Sequence, residues 1–99
     1  AVEWYEKAAD QSYAPAQNNL GLMHEKGRGV AKDYEVAVAL YRKAAEQGYS
    51  KAQSNLGVMY ERGLGVEQNE TEAFELYGKA AKQGHAEAQK ALISFNSDI

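Results

Sequence analysis

Two histidines and five serines are side chains of this 99-residue sequence that could serve acid–base or nucleophilic catalysis. His24 and His85 do not form the paired spacing with which a helix holds zinc by two imidazoles. No serine stands in a recognisable set with a histidine and a carboxylate; the serines are Ser12, Ser50, Ser54, Ser94 and Ser97. The sequence therefore predicts no catalytic residue, no metal site and no cofactor.

A glycine-rich segment at residues 27–32 superficially resembles a phosphate-binding loop, since it reads Gly-Arg-Gly-Val-Ala-Lys. Phosphate loops end in Gly-Lys-Ser or Gly-Lys-Thr and follow a strand. This segment lacks that ending and follows residues with helical periodicity, so we interpret it as a turn between helices.

The glutamates are typical of solvated helix faces; they include Glu25, Glu61, Glu67, Glu70, Glu72 and Glu75.

Seven tyrosines and Trp4 could form a stacking platform for single-stranded nucleic acid. The net charge of −3 and the scattered Lys and Arg residues argue against a nucleic-acid partner.

The sequence has no run of about 18 apolar residues that would span a membrane, and no signal peptide is visible. It has no cysteine, which excludes disulfides and thiolate metal sites.

A repeat of 36 residues organises the chain. Residues 16–23 recur at 52–59 with one Leu-to-Val and one Asn-to-Ser change, and the Gly-x-Gly-Val segment at 27–30 recurs at 63–66. The segment Lys-Ala-Ala-x-Gln-Gly at residues 43–48 recurs at residues 79–84. Between Ala16 and Tyr49, 18 of 34 positions are identical to their partners. We therefore divide the chain into a half repeat (1–14), two repeats (15–50 and 51–86) and a terminal half repeat (87–99), and expect the natural protein to extend upstream.

The hydrophobic pattern predicts two helices in each repeat. Ala16, Leu20 and Met23 form one stripe of a 3.6-residue period, and a second helix places Ala37, Leu40, Tyr41 and Ala44 on one face. Asp33 and Asn69 are good N-caps. We predict six helices, at about 1–11, 15–26, 33–47, 51–62, 69–83 and 87–95, with antiparallel neighbours because the connections are short.

Nine glycines are many for a helical chain, and eight of them pair across the repeat. Six are expected at helix ends and turns. Gly21 and Gly57 fall inside helices, where we predict that Tyr41 and Tyr77 pack over the missing side chain. Gly78 replaces Arg42 on an outward face, where it is expected to weaken the helix.

One face of the first helix in each repeat is the candidate binding surface, because at 100° per residue it points away from the core stripe. We call it the first-helix strip, and it comprises Asn18, Asn19, Leu22, Glu25, Lys26, Ser54, Asn55, Val58, Glu61 and Arg62. Leu22 and Val58 are apolar where a solvated face would be polar, which suits a peptide or partner helix. The alternative is that Asn19 and Asn55 bond to the neighbouring helix.

The pattern Ala-x-x-x-Leu-Gly, then Gly-x-Gly-Val, then Leu-Tyr-x-Lys-Ala-Ala-x-x-Gly resembles the Sel1-like repeat family, relatives of tetratricopeptide repeats. The resemblance covers the whole chain and implies an all-α, α/α superhelical solenoid whose first helices line a concave surface. It also implies a non-catalytic scaffold for protein–protein contact, most often bacterial. Asn19 and Asn55 align with an asparagine that holds the peptide backbone in related tetratricopeptide domains.

Two further functions stay open beside the interaction scaffold. A cysteine-rich branch of the family has been linked to binding or hydrolysing β-lactams, but Ala45, Ala52, Ala81 and Ala88 stand near the positions of its disulfide cysteines. The segment could also be a structural spacer that assembles other domains, with head-to-tail self-association through the exposed apolar flank of its first helix. Both the bacterial cytoplasm and the periplasm are compatible with the sequence.

Overall fold

Six α-helices joined by short turns make up the computed structural model, which describes residues 2–97 and the side chains of residues 3–94. The helices are α1 (Val2–Asp10), α2 (Ala14–Lys26), α3 (Tyr34–Glu46), α4 (Ser50–Arg62), α5 (Glu70–Lys82) and α6 (Ala86–Ser97). No strand occurs within residues 2–97. The predicted all-α solenoid of six helices is confirmed, and the described helix ends lie within two residues of their predicted places.

The ends of the helices follow the two kinds of cap that the repeat encodes. Asp33 and Asn69 cap α3 and α5, each accepting a hydrogen bond from a backbone N–H of the first turn, at 3.2 Å and 3.1 Å respectively. Gly27 and Gly63 end α2 and α4 in the left-handed conformation, with φ of 68° and 67°. The turn predicted at residues 27–32 is therefore the link between the two helices of a repeat.

Alanine is the most frequent buried apolar residue among the described side chains. Ala37, Ala44, Ala52, Ala73 and Ala80 are fully buried, with no exposed area. A side chain of one carbon lets the axes of packed helices come close, so larger residues are needed only at a few points. Tyr41, Met59 and Tyr77 are the largest fully buried side chains. The core is a row of small residues in which each tyrosine fills the space between paired helices.

Each mid-helix glycine faces a tyrosine of the partner helix, as predicted. A Cβ atom added at Gly21 would lie 2.8 Å from Cε1 of Tyr41, and one at Gly57 would lie 2.8 Å from Cε1 of Tyr77. Glycine costs a helix interior about 1 kcal/mol relative to alanine. The close packing of a buried aromatic ring on the bare backbone explains why glycine occupies these positions.

Successive repeats are joined through the loop that follows the first helix. Gly65, with φ of 73°, lies so close to α3 that a Cβ atom there would stand 2.5 Å from the carbonyl oxygen of Tyr34. Leu64 and Val66 pack on the core cluster that contains Val38, which is 3% exposed. The loop of one repeat thus covers the second helix of the repeat before it.

Two residues of the predicted core stripes are less buried than expected. Leu40 and Met23 are half-buried, whereas their partners Leu76 and Met59 are buried. Both of the less buried residues lie in the first half of the chain, and Leu40 is less buried because it lines a groove that is described below.

Candidate interaction surface

The first-helix strip is less accessible than the sequence predicts. Lys26, Glu61 and Arg62 are exposed, and the half-buried members are Asn19, Leu22, Glu25, Asn55 and Val58. Asn18 and Ser54 are only 2% and 5% exposed, so the expectation that they face outward is wrong. In a stack of helix pairs, a first helix has neighbours on its flanks as well as on its core stripe, and the flank that holds these two residues is covered.

Asn18 is covered by the first helix of the next repeat. Nδ2 of Asn55 on α4 donates a hydrogen bond to Oδ1 of Asn18 on α2, at 2.9 Å. For Asn55, the alternative that it bonds to the neighbouring helix is therefore confirmed. This contact joins two successive first helices, so substitution of either residue would change the stacking of repeats together with any binding.

Leu22 and Val58 contribute to the core as well as to the surface. Leu22 packs against the cluster that contains Ala52 and Leu56 of the next repeat, and Val58 packs against the cluster of Tyr77 and Ala88. Their apolar character is accounted for in part by these contacts. What they offer to a partner is the half of each side chain that stays at the surface.

Glu25 and Glu61 each hold the tyrosine of their own repeat. The hydroxyl of Tyr41 donates to Oε1 of Glu25 at 2.6 Å, and that of Tyr77 donates to Oε1 of Glu61 at 2.7 Å. Burial, followed by the hydrogen bond and negative charge of the glutamate, raises the pKa of both tyrosines well above the ordinary value of 10.0. These hydroxyls stay protonated at neutral pH and serve structure.

The cationic residues near the C-terminal ends of the first helices stay accessible. Lys26 and Arg62 occupy matching positions in the last turns of α2 and α4. Lys26 also lines a small pocket of about 220 Å³, together with Tyr5, Asn19, Leu22, Met23 and Arg28. This pocket combines an apolar wall with an amide and two positive charges, which suits a peptide bearing an acidic group.

The two histidines are not brought together. The side chain of His24 is half-buried, and its Nδ1 atom is buried with no hydrogen-bond partner. His85 lies just before α6 and is half-buried. Among the described residues, no group of three or more His, Cys, Asp or Glu side chains is placed to hold a metal ion.

None of the helices between residues 2 and 97 is long and apolar enough to cross a bilayer.

A ladder of glutamines joins the repeats and was missed by the sequence analysis. Gln17, Gln53 and Gln89 each donate through Nε2 to a carbonyl oxygen in the last turn of the preceding second helix, at 3.2–3.3 Å. Each of these oxygens also accepts a backbone N–H from the turn that follows its helix, so the glutamine adds a second hydrogen bond at the helix end. The signal was present, since the three glutamines are spaced 36 residues apart.

Two grooves on the second-helix side were also missed. The first, the α1–α3 groove, lies between α1 and α3 over a floor of Gln17 and Leu20, and has a volume of about 740 Å³. The second, the α3–α5 groove, lies one repeat later over Gln53 and Leu56, and has a volume of about 210 Å³. Leu40 is half-buried because it faces the larger groove.

Comparison with known proteins agrees with the repeat, the paired helices and the caps. The family model of the Sel1 repeat matches residues 1–13, 14–49 and 50–85. The chain belongs to the Sel1 repeat family. Sel1 repeats generally form non-catalytic scaffolds that mediate protein interactions. Among curated protein sequences, none matches the chain.

Three solved bacterial structures resemble the Sel1 repeats of this chain. A Sel1 repeat protein from Oxalobacter formigenes is 49% identical over 83% of this chain and 34% of that one, with a TM-score of 0.81. The protective antigen c5321 of uropathogenic Escherichia coli, which has the same fold, is 44% identical over 90% of this chain and 19% of its own, with a TM-score of 0.88. Helicobacter pylori cysteine rich protein B is 28% identical over 92% of this chain and 68% of its own, with a TM-score of 0.86. The chain thus spans about a third and a fifth of the first two proteins.

Proposed function

We propose that this Sel1 segment is a non-catalytic scaffold that binds a protein or peptide partner along the accessible part of the first-helix strip. The observation that carries the proposal is the matched pair of exposed cations, Lys26 and Arg62, beside the half-buried apolar residues Leu22 and Val58. The fold supports it, because a rigid stack of helices loses little conformational entropy on binding. An acidic and apolar peptide has the chemistry that these side chains complement.

Some members of the strip serve this surface indirectly. Asn18 and Asn55 hold α2 and α4 together through their hydrogen bond, which fixes the spacing between the two cations. Asn19 lines the pocket beside Lys26 and offers a side-chain amide to a bound peptide backbone. The proposed contact residues are therefore Asn19, Leu22, Lys26, Val58 and Arg62, and Asn18, Glu25, Ser54, Asn55 and Glu61 act as their support.

The test uses the exposed cations, because their substitution leaves the core intact. An array of short peptides of acidic and neutral composition is probed with the chain and with the variant Lys26→Glu/Arg62→Glu. The matched control is Lys7→Glu/Lys82→Glu, which makes the same charge change at exposed lysines in the last turns of α1 and α5. Both variants lose a comparable favourable interaction with a helix dipole.

We expect the wild-type chain and the Lys7→Glu/Lys82→Glu control to capture acidic peptides, and the Lys26→Glu/Arg62→Glu variant to lose that capture with unchanged helicity by circular dichroism. Equal capture by both double variants would refute the strip as the binding surface.

A further inference from the structure

We propose that the α1–α3 groove is a second binding surface, and that it takes a basic segment of a partner protein carrying an apolar side chain. The groove lies on the second-helix side of the repeats, so this inference is independent of the first-helix strip. Its size and its charge differ from those of the α3–α5 groove one repeat later, although both floors are made of a glutamine and leucines. That difference within one chain is the basis of the proposal.

A pair of hydrogen-bonded side chains bridges the smaller groove and differs in residue type from the pair in the larger groove. In the α3–α5 groove, Nη2 of Arg42 donates to the hydroxyl of Tyr60 at 2.7 Å, and both residues line the groove. The residues 36 positions earlier are Glu6 and His24. Glu6 lines the α1–α3 groove and His24 does not. The Arg42–Tyr60 bridge thus has no counterpart of the same residue types in the first repeat, which accords with the larger volume of the α1–α3 groove.

The floor of the open groove is apolar and held in place. Leu20 and the half-buried Leu40 supply its apolar surface. The amide of Gln17 is already satisfied, since Nε2 donates to the carbonyl oxygen of Ala9 at 3.2 Å and Oε1 accepts from Gln47 at 2.8 Å. An incoming apolar side chain can cover the two leucines without leaving that amide unpaired.

The rim selects the charge of the occupant. Glu6, Asp10 and Glu46 line the α1–α3 groove with Lys43 as the only cation among its lining residues, so three negative charges face one positive charge. The lining of the α3–α5 groove is balanced, with Arg42 and Lys79 against Glu46 and Glu72. A negative rim around an apolar floor complements a segment in which Lys or Arg flanks Leu, Ile or Val.

The test transfers the closing pair from the second repeat to the first. The variant Glu6→Arg/His24→Tyr reproduces the residues that close the α3–α5 groove. The control Glu75→Arg/His85→Tyr makes the same chemical changes on α5 and at the start of α6, away from either groove lining. The probe is a short fluorescent peptide in which Lys and Leu alternate, compared with the same peptide carrying Glu in place of each Lys.

We expect the Lys/Leu peptide to bind the wild-type chain and the control with equal affinity, and to bind Glu6→Arg/His24→Tyr at least about tenfold more weakly. The Glu/Leu peptide should bind none of them in the groove. Asp10→Lys is the second variant: its new cation lies at the C-terminal end of α1, where the dipole favours it, so it should weaken binding without unfolding the chain. The variant Lys26→Glu/Arg62→Glu should keep this binding, which separates the outcome from that of the first-helix strip.

Three results would overturn the proposal. The first is equal affinity of the Lys/Leu peptide for the wild-type chain, Glu6→Arg/His24→Tyr and Asp10→Lys. The second is equal binding of the Glu/Leu peptide. The third is self-association of the wild-type chain by light scattering that Glu6→Arg/His24→Tyr abolishes, because the occupant would then be a second copy of this chain.

Discussion

The contact inside each helix pair is copied from one repeat to the next, whereas the groove between successive second helices is not. In both repeats a glycine lies under a tyrosine ring and the tyrosine hydroxyl binds a glutamate, at 2.6 Å in the first and 2.7 Å in the second. By contrast, the α1–α3 groove has more than three times the volume of the α3–α5 groove. The copied residues specify the fold, and the departures from the repeat shape the surface that belongs to this chain.

Overpacking the copied contact should have the largest effect. Gly57→Leu would drive four carbons into the ring of Tyr77, which is 1% exposed and cannot move aside. We expect the free energy of unfolding to fall by about 3 kcal/mol or more, since forced overpacking typically costs 1–3 kcal/mol and the ring here touches the backbone itself. Urea denaturation followed by circular dichroism measures this change.

Gly21→Leu should be equally damaging, because the two contacts have the same geometry. An unchanged melting temperature for either variant would disprove the packing role of the glycine. A large difference between the two variants would disprove the equivalence of the two repeats.

High pH should weaken both copied contacts at once. The folded chain holds the protons of Tyr41 and Tyr77 at a pH where the unfolded chain, with tyrosine pKa values near 10.0, releases them. Because the folded state then binds more protons, the free energy of unfolding falls as the pH rises above about 10. The stabilisation by these hydroxyls is complete below that pH.

Denaturation curves between about pH 9 and 12, a range that brackets the pKa of an unperturbed tyrosine, measure this dependence. The variant Tyr41→Phe/Tyr77→Phe should show a shallower decline. If the wild-type and variant curves run parallel, the two tyrosines do not keep their protons as the structure requires.

Removing a single hydroxyl should distinguish the two repeats slightly. Glu25 is half-buried and Glu61 is exposed, so water can replace the lost donor more easily at Glu61. We expect Tyr41→Phe to cost about 2 kcal/mol and Tyr77→Phe about 1 kcal/mol, within the range for hydrogen bonds to charged groups and their solvated counterparts. Thermal denaturation of the two variants measures the difference, and the reverse order of stability would contradict this account.

Much of the fold could be predicted from the sequence because its determinants are local and repeated. The helix periods, the caps at Asp33 and Asn69 and the glycine–tyrosine contacts all follow from spacing within one repeat. The burial of Asn18 could not be predicted from a helical wheel, since it is Asn55, 37 residues away, that covers it. The difference between the two grooves also involves residues that are distant in sequence, since Arg42 donates a hydrogen bond to Tyr60. The grooves were therefore not predicted from the sequence.

Gly78 gives the smallest predicted effect, and it is one of the departures from the repeat. It occupies the position of Arg42 inside α5, and apart from its chain neighbours and the nearby backbone of its own helix, no atom lies within 4 Å of the place where its Cβ would stand. Gly78→Ala should therefore raise the free energy of unfolding by about 1 kcal/mol, through helix propensity alone. The same substitution at Gly57 should bring no such gain, because its Cβ would lie 2.8 Å from Cε1 of Tyr77. If thermal denaturation shows equal stabilisation by Gly78→Ala and Gly57→Ala, close packing against Tyr77 is not the reason why residue 57 is glycine.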